Sequence, residues 1–531
     1  MKLDYKKTFY VGLAFFLITL FWQTYDTIIS KILIDKFGLN QTLSGVIMAL
    51  DNVLALFLIP LFGTLSDRNK SKKGRRTPYI VVGTIVAAFA FGGLTFSDNL
   101  QTAKLETNSS ISAHYELVLD DEITSTEWVT MQEAIDTEWA GLVAAGIIDQ
   151  ERYEEVEAEI VDEMDQYLTD NDITQAETDE LKELYYTHLN QRAWVETSHS
   201  PVVFVVFVVN LLVALLAMAT FRSPAVALMP DVTIKPLRSK GNAVINLMGT
   251  GGGILAIVIL TVFGLDNASY VSYAPSFITV AVLMLVLLGI FLWKVNEPKL
   301  VSDREARDKD LGLTEEDEVE EHGGDKSALD REKFVSLILI LASVFLWFTG
   351  YNAVTTKLSD YAPKVLDMGY SMPLLIAQGA ALIAFVPIGI LATKIGRRKT
   401  ILFGIAMLTI CFGSVYFLTP DTAAIMYVIF GLTGVAWATI NVNSYPMVVE
   451  LAKGSDVGKY TGYYYTFSMA AQILTPIISG ALMDAMGRKI LFPYAAFFVL
   501  TSFITMFLVR HGDAKIIGKD SVLENFDVDM D

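Results

Sequence analysis

Long apolar runs alternate with short polar connections along most of this chain. Runs of spanning length lie near residues 8–32, 42–65, 77–96, 201–229, 242–264, 274–294, 334–356, 372–393, 400–418, 423–447, 460–483 and 490–510. Each approaches the roughly 20 apolar residues that a helix needs to cross a bilayer. Backbone groups in hydrocarbon must be satisfied within helices or closed barrels. The pattern therefore predicts an all-α polytopic membrane protein of about 12 transmembrane helices. Lys2, Lys6 and Lys7 precede the first run as they would in a signal peptide. That run is too long and lacks a small-residue cleavage site, so it reads as the first span.

The polar connections orient the spans. Between Gly63 and Ile80 stand Arg68, Lys70, Lys72, Lys73, Arg75 and Arg76, a basic loop that belongs on the cytoplasmic face. Both termini and the even-numbered connections then fall inside. Lys235, Arg238 and Lys240 in the fourth connection agree, as do Lys394, Arg397, Arg398 and Lys399 in the eighth. Lys31, Lys36, Lys357, Lys364, Arg488 and Lys489 fall outside, as exceptions to the rule. The charged stretch 297–332 reads as a cytoplasmic linker between two six-helix bundles. The first bundle comprises 1–96 and 201–296, the second 333–512, and 513–531 form a cytoplasmic tail. The bundles echo each other, with Gly63 and Gly74-Arg75-Arg76 recurring as Gly389 and Gly396-Arg397-Arg398. Paired halves of this kind are the plan of many secondary transporters, which bind substrate near the midplane between them.

Composition sharpens the class. The 531 residues are 53% apolar with a net charge of -19. Residues 97–200 hold 26 Asp/Glu against 4 Lys/Arg, a net of -22, which leaves the remainder at +3. The acidity thus belongs to one insert between spans three and four, expected to be extracytoplasmic and helical over 126–167 and 173–190. Trp128, Trp139, Leu142, Ile147, Tyr153, Val156, Ile160 and Met164 are available for its small core. Cys411 is the single cysteine, which excludes an internal disulfide or a thiolate metal cluster. No histidine falls in any span, so a histidine proton relay is not expected. Gly249, Gly251, Gly252 and Gly253 lie within an apolar span, where they favour close helix packing over phosphate binding. Clustered metal ligands and a nucleophile with its base are also lacking, so neither an enzyme nor a cofactor is expected. Basic residues flank the membrane only, which gives nucleic-acid binding no support.

Ionisable residues within the spans are the candidate chemistry. Asp51 lies about nine residues into span two, near mid-depth at about 1.5 Å per residue. A charge there costs about 2.5–3.5 kcal/mol and usually faces a cavity or ion path. Asp51 is therefore the first candidate for cation coupling and Asp26 the second, with a permanent bond to Asn52 as the alternative for Asp51. Asp26 in span one shares a helix face with Trp22 and Gln23. Together they offer an indole for stacking and an amide and carboxylate for hydroxyls. The second half adds Trp347, Tyr351, Asn352, Trp437, Asn441 and Gln472. Uncharged amides and aromatics suit a neutral polyhydroxy ligand. Arg222, near the inner end of span four, either snorkels to the cytoplasm or pairs with Asp51 or Asp67.

The loop pattern Gly63-x-x-x-Asp67-Arg68…Gly74-Arg75-Arg76 resembles the signature loop of the major facilitator superfamily. Its lengthened middle, Asn69 to Lys73, and the following Thr77-Pro78-Tyr79-Ile80 resemble the glycoside and sucrose cation-symporter branch. The resemblance implies a cytoplasmic gate at Asp67 and its arginines that locks the halves together, with Arg222, Arg397 and Arg398 as further members. It also implies proton-coupled symport of a neutral sugar or glycoside, with sodium as the other ion. Ala55 and Ile59 stand where melibiose-type carriers have paired aspartates, and Leu215 and Val226 where plant sucrose symporters have an acid and an arginine. Those departures weigh against that mode of sodium coupling and against sucrose. The expected setting is a bacterial plasma membrane, with membrane lipid around a monomer. Export of an amphipathic compound, or a sensor that uses the 97–200 insert, are the alternatives.

Overall fold

The computed structural model describes residues 3–105, 124–151, 154, 175–234, 237–265, 272–310, 331–449, 451 and 457–511. Among these there is no strand. The first bundle is built from α1 (Tyr5–Lys31), α2 (Gln41–Asp67), α3 (Thr77–Leu105), α6 (Val202–Val232), α7 (Arg238–Val262) and α8 (Ala274–Lys294). Between α3 and α6 lie the insert helices α4 (Ser125–Ala144) and α5 (Gln175–His199). After the short α9 (Glu297–Asp310) comes the second bundle. It comprises α10 (Arg331–Val365), α11 (Ser371–Ile395), α12 (Arg397–Val415), α13 (Ile425–Val449), α14 (Val457–Met486) and α15 (Leu491–Leu508). Eleven helices are long and apolar enough to cross a membrane, and α11 contributes the apolar stretch Ser371–Phe385. The twelve runs read from the pattern are thus twelve helices.

Local chemistry sets several boundaries. Asn40 caps α2 by accepting from the Leu43 amide at 2.8 Å. Thr124 and Glu127 form a reciprocal capping box at the start of α4. A π turn, Ile32–Lys36, extends α1 and stops at Gly38, whose φ of +67° suits glycine. Helices depart from the expected ends at three places. α3 continues past residue 96 to Leu105, α10 continues past 356 to Val365, and the linker opens with helix α9. The overrun of α3 buries Asp98, Gln101 and Thr102, polar residues that an apolar-run criterion cannot include. In the insert, Trp139 is core, packed with Met131, Ile135, Tyr185 and Tyr186 also buried nearby. Leu142 and Ile147 are half-buried. Tyr153, Val156, Ile160 and Met164 lie outside the described residues, as does the side chain of Trp128.

Each bundle has its own apolar core, one through α1, α3, α6 and α8 and the other through α10, α12, α13 and α15. The bundles meet where α2 packs on α14, α7 on α11 and α1 on α10. Their closest approach is at the face that carries the insert, hereafter the insert face. There a Cβ on Gly45 would stand 2.1 Å from the Pro476 carbonyl oxygen, and one on Gly480 would stand 2.3 Å from that of Gln41. The opposite face carries the Gly63 to Ile80 loop and is called the basic face.

Candidate functional site

Between Val11 and Phe37, the accessible positions of α1 are Phe15, Phe16, Thr19, Trp22, Gln23 and Asp26. Their spacing of three and four places them on one helix face. From Thr27 to Phe37 every residue is buried. On α10, Tyr351, Asn352, Thr355 and Thr356 are accessible, after which Lys357 to Leu366 are all buried. Both central helices thus present an open stripe that ends midway and seals toward the insert face. The sequence-predicted residues Trp22, Gln23, Asp26, Tyr351 and Asn352 lie at the blind end of these stripes.

The charges gathered here are Asp26, Asp51 and Arg222. All three are half-buried, and the carboxylates interact electrostatically with Arg222, Asp26 also with Asp51. Asp51 accepts from Asn52 Nδ2 at 2.8 Å, while Asp26 has no hydrogen-bond partner among the described residues. The Arg222 guanidinium lies 6.0 Å from the Trp22 ring centroid. Among the described residues it forms no ion pair, so it stands as a cation beside two carboxylates without closing on either. Trp22 also meets Phe21 and Tyr25 edge-on, at 5.3 and 5.4 Å.

On the other side, Tyr351 stacks flat on Trp437, with centroids 3.8 Å apart and planes 9° from parallel. Gln378 of α11 donates to Gln23 Oε1 at 2.6 Å, joining the bundles at mid-depth. Gln472 is half-buried on α14, and Asn441 is buried at 8% exposure. Trp347 departs from the expected set, because at 0% exposure it is sealed in the second core and offers no surface to a ligand. Two donors at the blind end stand out. Trp22 Nε1 and Asn352 Nδ2 are buried without a hydrogen-bond partner. Buried donors are nearly always satisfied, so this pair is left short of an acceptor.

Sequence reasoning missed the lattice that seals the insert face. Lys364 of α10 pairs with Asp35 at the end of α1, and with Asp360 at 2.7 Å. Asp360 accepts from Arg488 at 3.0 Å and from Gln41 Nε2 at 2.6 Å. Lys357 Nζ donates to the Gln41 carbonyl at 2.9 Å. Asp484 accepts from the Gln41 and Thr42 amides at 2.8 and 2.9 Å, capping α2 from α14. Lys36 is held by Asp98 at 2.5 Å and Thr102 at 2.7 Å. Lys36, Lys357, Lys364 and Arg488 had stood only as exceptions to the positive-inside rule. Lys36, Lys364 and Arg488 pair with buried acids, and Lys357 and Lys364 bridge the two bundles.

The basic-face cluster is differently wired from expectation. Glu297, 1% exposed, accepts from the amides of Arg75 (2.8 Å), Arg76 (3.0 Å) and Thr77 (2.7 Å) and from Thr77 Oγ1 (2.8 Å). Gly74, at φ +107°, leaves the space that its carboxylate fills. Asp231 receives Arg75 at 2.6 Å and Arg76 at 2.8 Å, and Asp67 also pairs with Arg76. Burial works against the Arg76 charge, but Asp231 and Asp67 hold its pKa above the usual guanidinium range. A Cβ on Gly63 would reach Ser223 Oγ at 2.8 Å, fitting α2 against α6. Arg68 is exposed, Arg397 is half-buried, and Arg398 donates to the Phe507 carbonyl at 2.5 Å. The ion pairs of Asp67, Arg75 and Arg76 among the described residues therefore stay within the first bundle. At the insert face, by contrast, the described bonds of Lys357, Lys364 and Asp484 cross between the bundles.

A family model described as Major Facilitator Superfamily matches residues 193–445 and 376–521. A second, described as MFS/sugar transport protein, matches residues 10–110. No curated protein matches the chain. Similar solved structures include the xylose transporter XylE from E. coli in an inward open conformation, 14% identical with a TM-score of 0.53, covering 96% of each chain. A bacterial homolog of the human lysosomal transporter Spinster, inward-facing and unoccupied, is 12% identical with a TM-score of 0.53, covering 96% of this chain and 98% of that one. A mutant of the nucleoside transporter NupG is 11% identical with a TM-score of 0.50, covering 95% and 99%. At such identities the likeness speaks for the fold alone.

Proposed function

The chain belongs to the major facilitator superfamily, and from that premise we propose that it is a proton-coupled symporter of a neutral sugar or glycoside. It works by alternating access with the basic face and both termini in the cytoplasm, the insert outside and the chain acting as a monomer in a bacterial plasma membrane. The conformation described above is then the inward-facing one. Asp51 exchanges the proton. Asp26, Trp22, Gln23, Asn52, Tyr351, Asn352, Trp437, Asn441 and Gln472 hold substrate.

One observation carries this reading. At the ends of the two half-accessible stripes lie the carboxylates Asp26 and Asp51 of the first bundle and two buried donors without a hydrogen-bond partner, Trp22 Nε1 and Asn352 Nδ2. Such donors match sugar hydroxyl oxygens, and the stacked Tyr351 and Trp437 rings give a flat apolar wall for a pyranose face. A carboxylate without a fixed cation partner can take and release a proton as the path opens to either side.

Counterflow in reconstituted vesicles with a panel of labelled sugars, at two pH values and with or without sodium, tests the substrate and the ion. A pH gradient of one unit drives up to about tenfold accumulation for one proton per substrate. Asp51→Asn is expected to abolish that accumulation while leaving counterflow. Full pH-driven accumulation in the variant would remove Asp51 from the coupling step.

A further inference from the structure

We propose that insert helix α5 is a latch that straps the two bundles together across the insert face and must release before the carrier opens outward. The inference rests on the alternating-access reading but not on the substrate or the ion.

On the first bundle the attachment is intimate. The turn at Gly38 lies directly under α5, where a Cβ would come within 2.1 Å of the Trp194 amide nitrogen and 2.2 Å of the Asn190 carbonyl oxygen. Only glycine, here with φ +67°, lets the two backbones touch. Arg192 donates to the Leu105 carbonyl at 2.8 Å, and Gln101 Nε2 donates to Thr197 Oγ1 at 3.3 Å. The helix then runs through Pro201 into α6, so it moves with the first bundle.

On the second bundle the grip is made by side chains near the other end of α5. Lys182, buried, pairs with Asp367 at 3.4 Å. Glu183 pairs with Arg488 at 3.7 Å, and its Oε1 would lie 3.4 Å from a Cβ on Gly487. The Tyr186 ring lies 5.2 Å from Lys364 Nζ, on top of the buried lattice. Asp367 is the one non-glycine residue with positive φ among those described, at +49°, so this partner is presented from a backbone shape that few residues accept. One side of the strap is thus backbone laid on backbone, and the other is long ion pairs. When the bundles part, the ion pairs are the side that lets go.

The single native cysteine makes the test direct. In a Cys411→Ala background, Leu43→Cys and Met486→Cys place spin labels on exposed sites at the insert-face ends of α2 and α14. Distance distributions of the full-length carrier in lipid vesicles then report the closed and open insert face without any substrate. Lys182→Ala with Glu183→Ala is expected to raise the long-distance population about three- to tenfold. Glu183→Lys, which sets like charges against Arg488, should raise it further. If the double alanine variant does not fold, Lys182→Gln replaces it with the same readout. Unchanged distributions in the folded variants would overturn the latch while leaving the transport reading intact.

Discussion

Lys364→Met strikes the centre of the insert-face lattice. Its Nζ ties Asp35 of α1 to Asp360 of α10, and both carboxylates are buried, at 2% and 1% exposure. Breaking a buried ion pair by removing one partner costs about 3–5 kcal/mol. Asp360 keeps Arg488 and Gln41, so the stranded charge is chiefly Asp35 and the lower figure, about 3 kcal/mol, applies. With the insert face open, the same groups are hydrated and the pair is worth only about 0–1 kcal/mol. The variant therefore loses about 2–3 kcal/mol of preference for the closed face, a shift of about 30- to 150-fold in the ratio of the two states. The label pair on Leu43→Cys and Met486→Cys reads that ratio directly. Removing the second charge as well, in Asp35→Asn with Lys364→Met, should recover much of the closed population, because a neutral buried pair strands nothing. A distribution that moves less than about twofold in the single variant would mean that the lattice does not hold the face shut.

Gly45→Ala puts a methyl 2.1 Å from the Pro476 carbonyl oxygen, which the closed seam between α2 and α14 cannot accommodate. The same label pair should show the long distance prevailing, and a wild-type distribution would count against the seam. In the insert, burial with the nearby Arg192 guanidinium pushes His188 from 6.5 down to about 3, and Trp139 Nε1 donates to its ring at 3.1 Å. A histidine whose pKa is depressed by folding is protonated first in the unfolded state. Acidification below about 6.5 should thus destabilise the insert by about 1.4 kcal/mol per unit until about pH 3. His188→Gln should flatten that dependence, as followed by tryptophan fluorescence during denaturation, and an unchanged slope would contradict it.

The architecture was legible because hydrocarbon imposes it locally: each apolar run announces a helix without reference to any other part of the chain. Trp22, Gln23, Asp26 and Asp51 were legible for the same reason, since polarity at mid-depth needs an explanation wherever it occurs. The closure of the insert face was not, because it depends on pairing between distant positions. Lys364 with Asp35, Lys357 with Gln41 and Asp484 with Gln41 join residues hundreds apart in sequence. Read singly, each lysine only violates a loop-charge rule. Glu297 was taken as the first residue of a charged linker, although it caps the start of α3 and organises the basic loop. Trp347 was misplaced because an aromatic on a spanning helix has no local mark that tells a core face from an open one.

Tyr25, Asp26, Lys31, Asn52 and Gly63 recur as Tyr351, Asn352, Lys357, Gln378 and Gly389, each pair 326 residues apart. The offset pairs α1 with α10 and α2 with α11, and it pairs the two stripes whose accessible faces meet at the site. Comparison at this offset separates what both halves share from what only one has. Both keep the tyrosine, the polar residue after it, and a buried lysine five residues further on. The charge is not shared: Asp26 becomes Asn352, and the position matching Asp51 is Ala377. If the proposed carboxylate coupling holds, it belongs to the first half, because the second offers no acid at either place. The second half is left with amides and the Tyr351 and Trp437 platform, groups that recognise a solute without changing charge. On the proposed reading the solute is held from both halves, while the charge that takes the proton is carried by the first half alone.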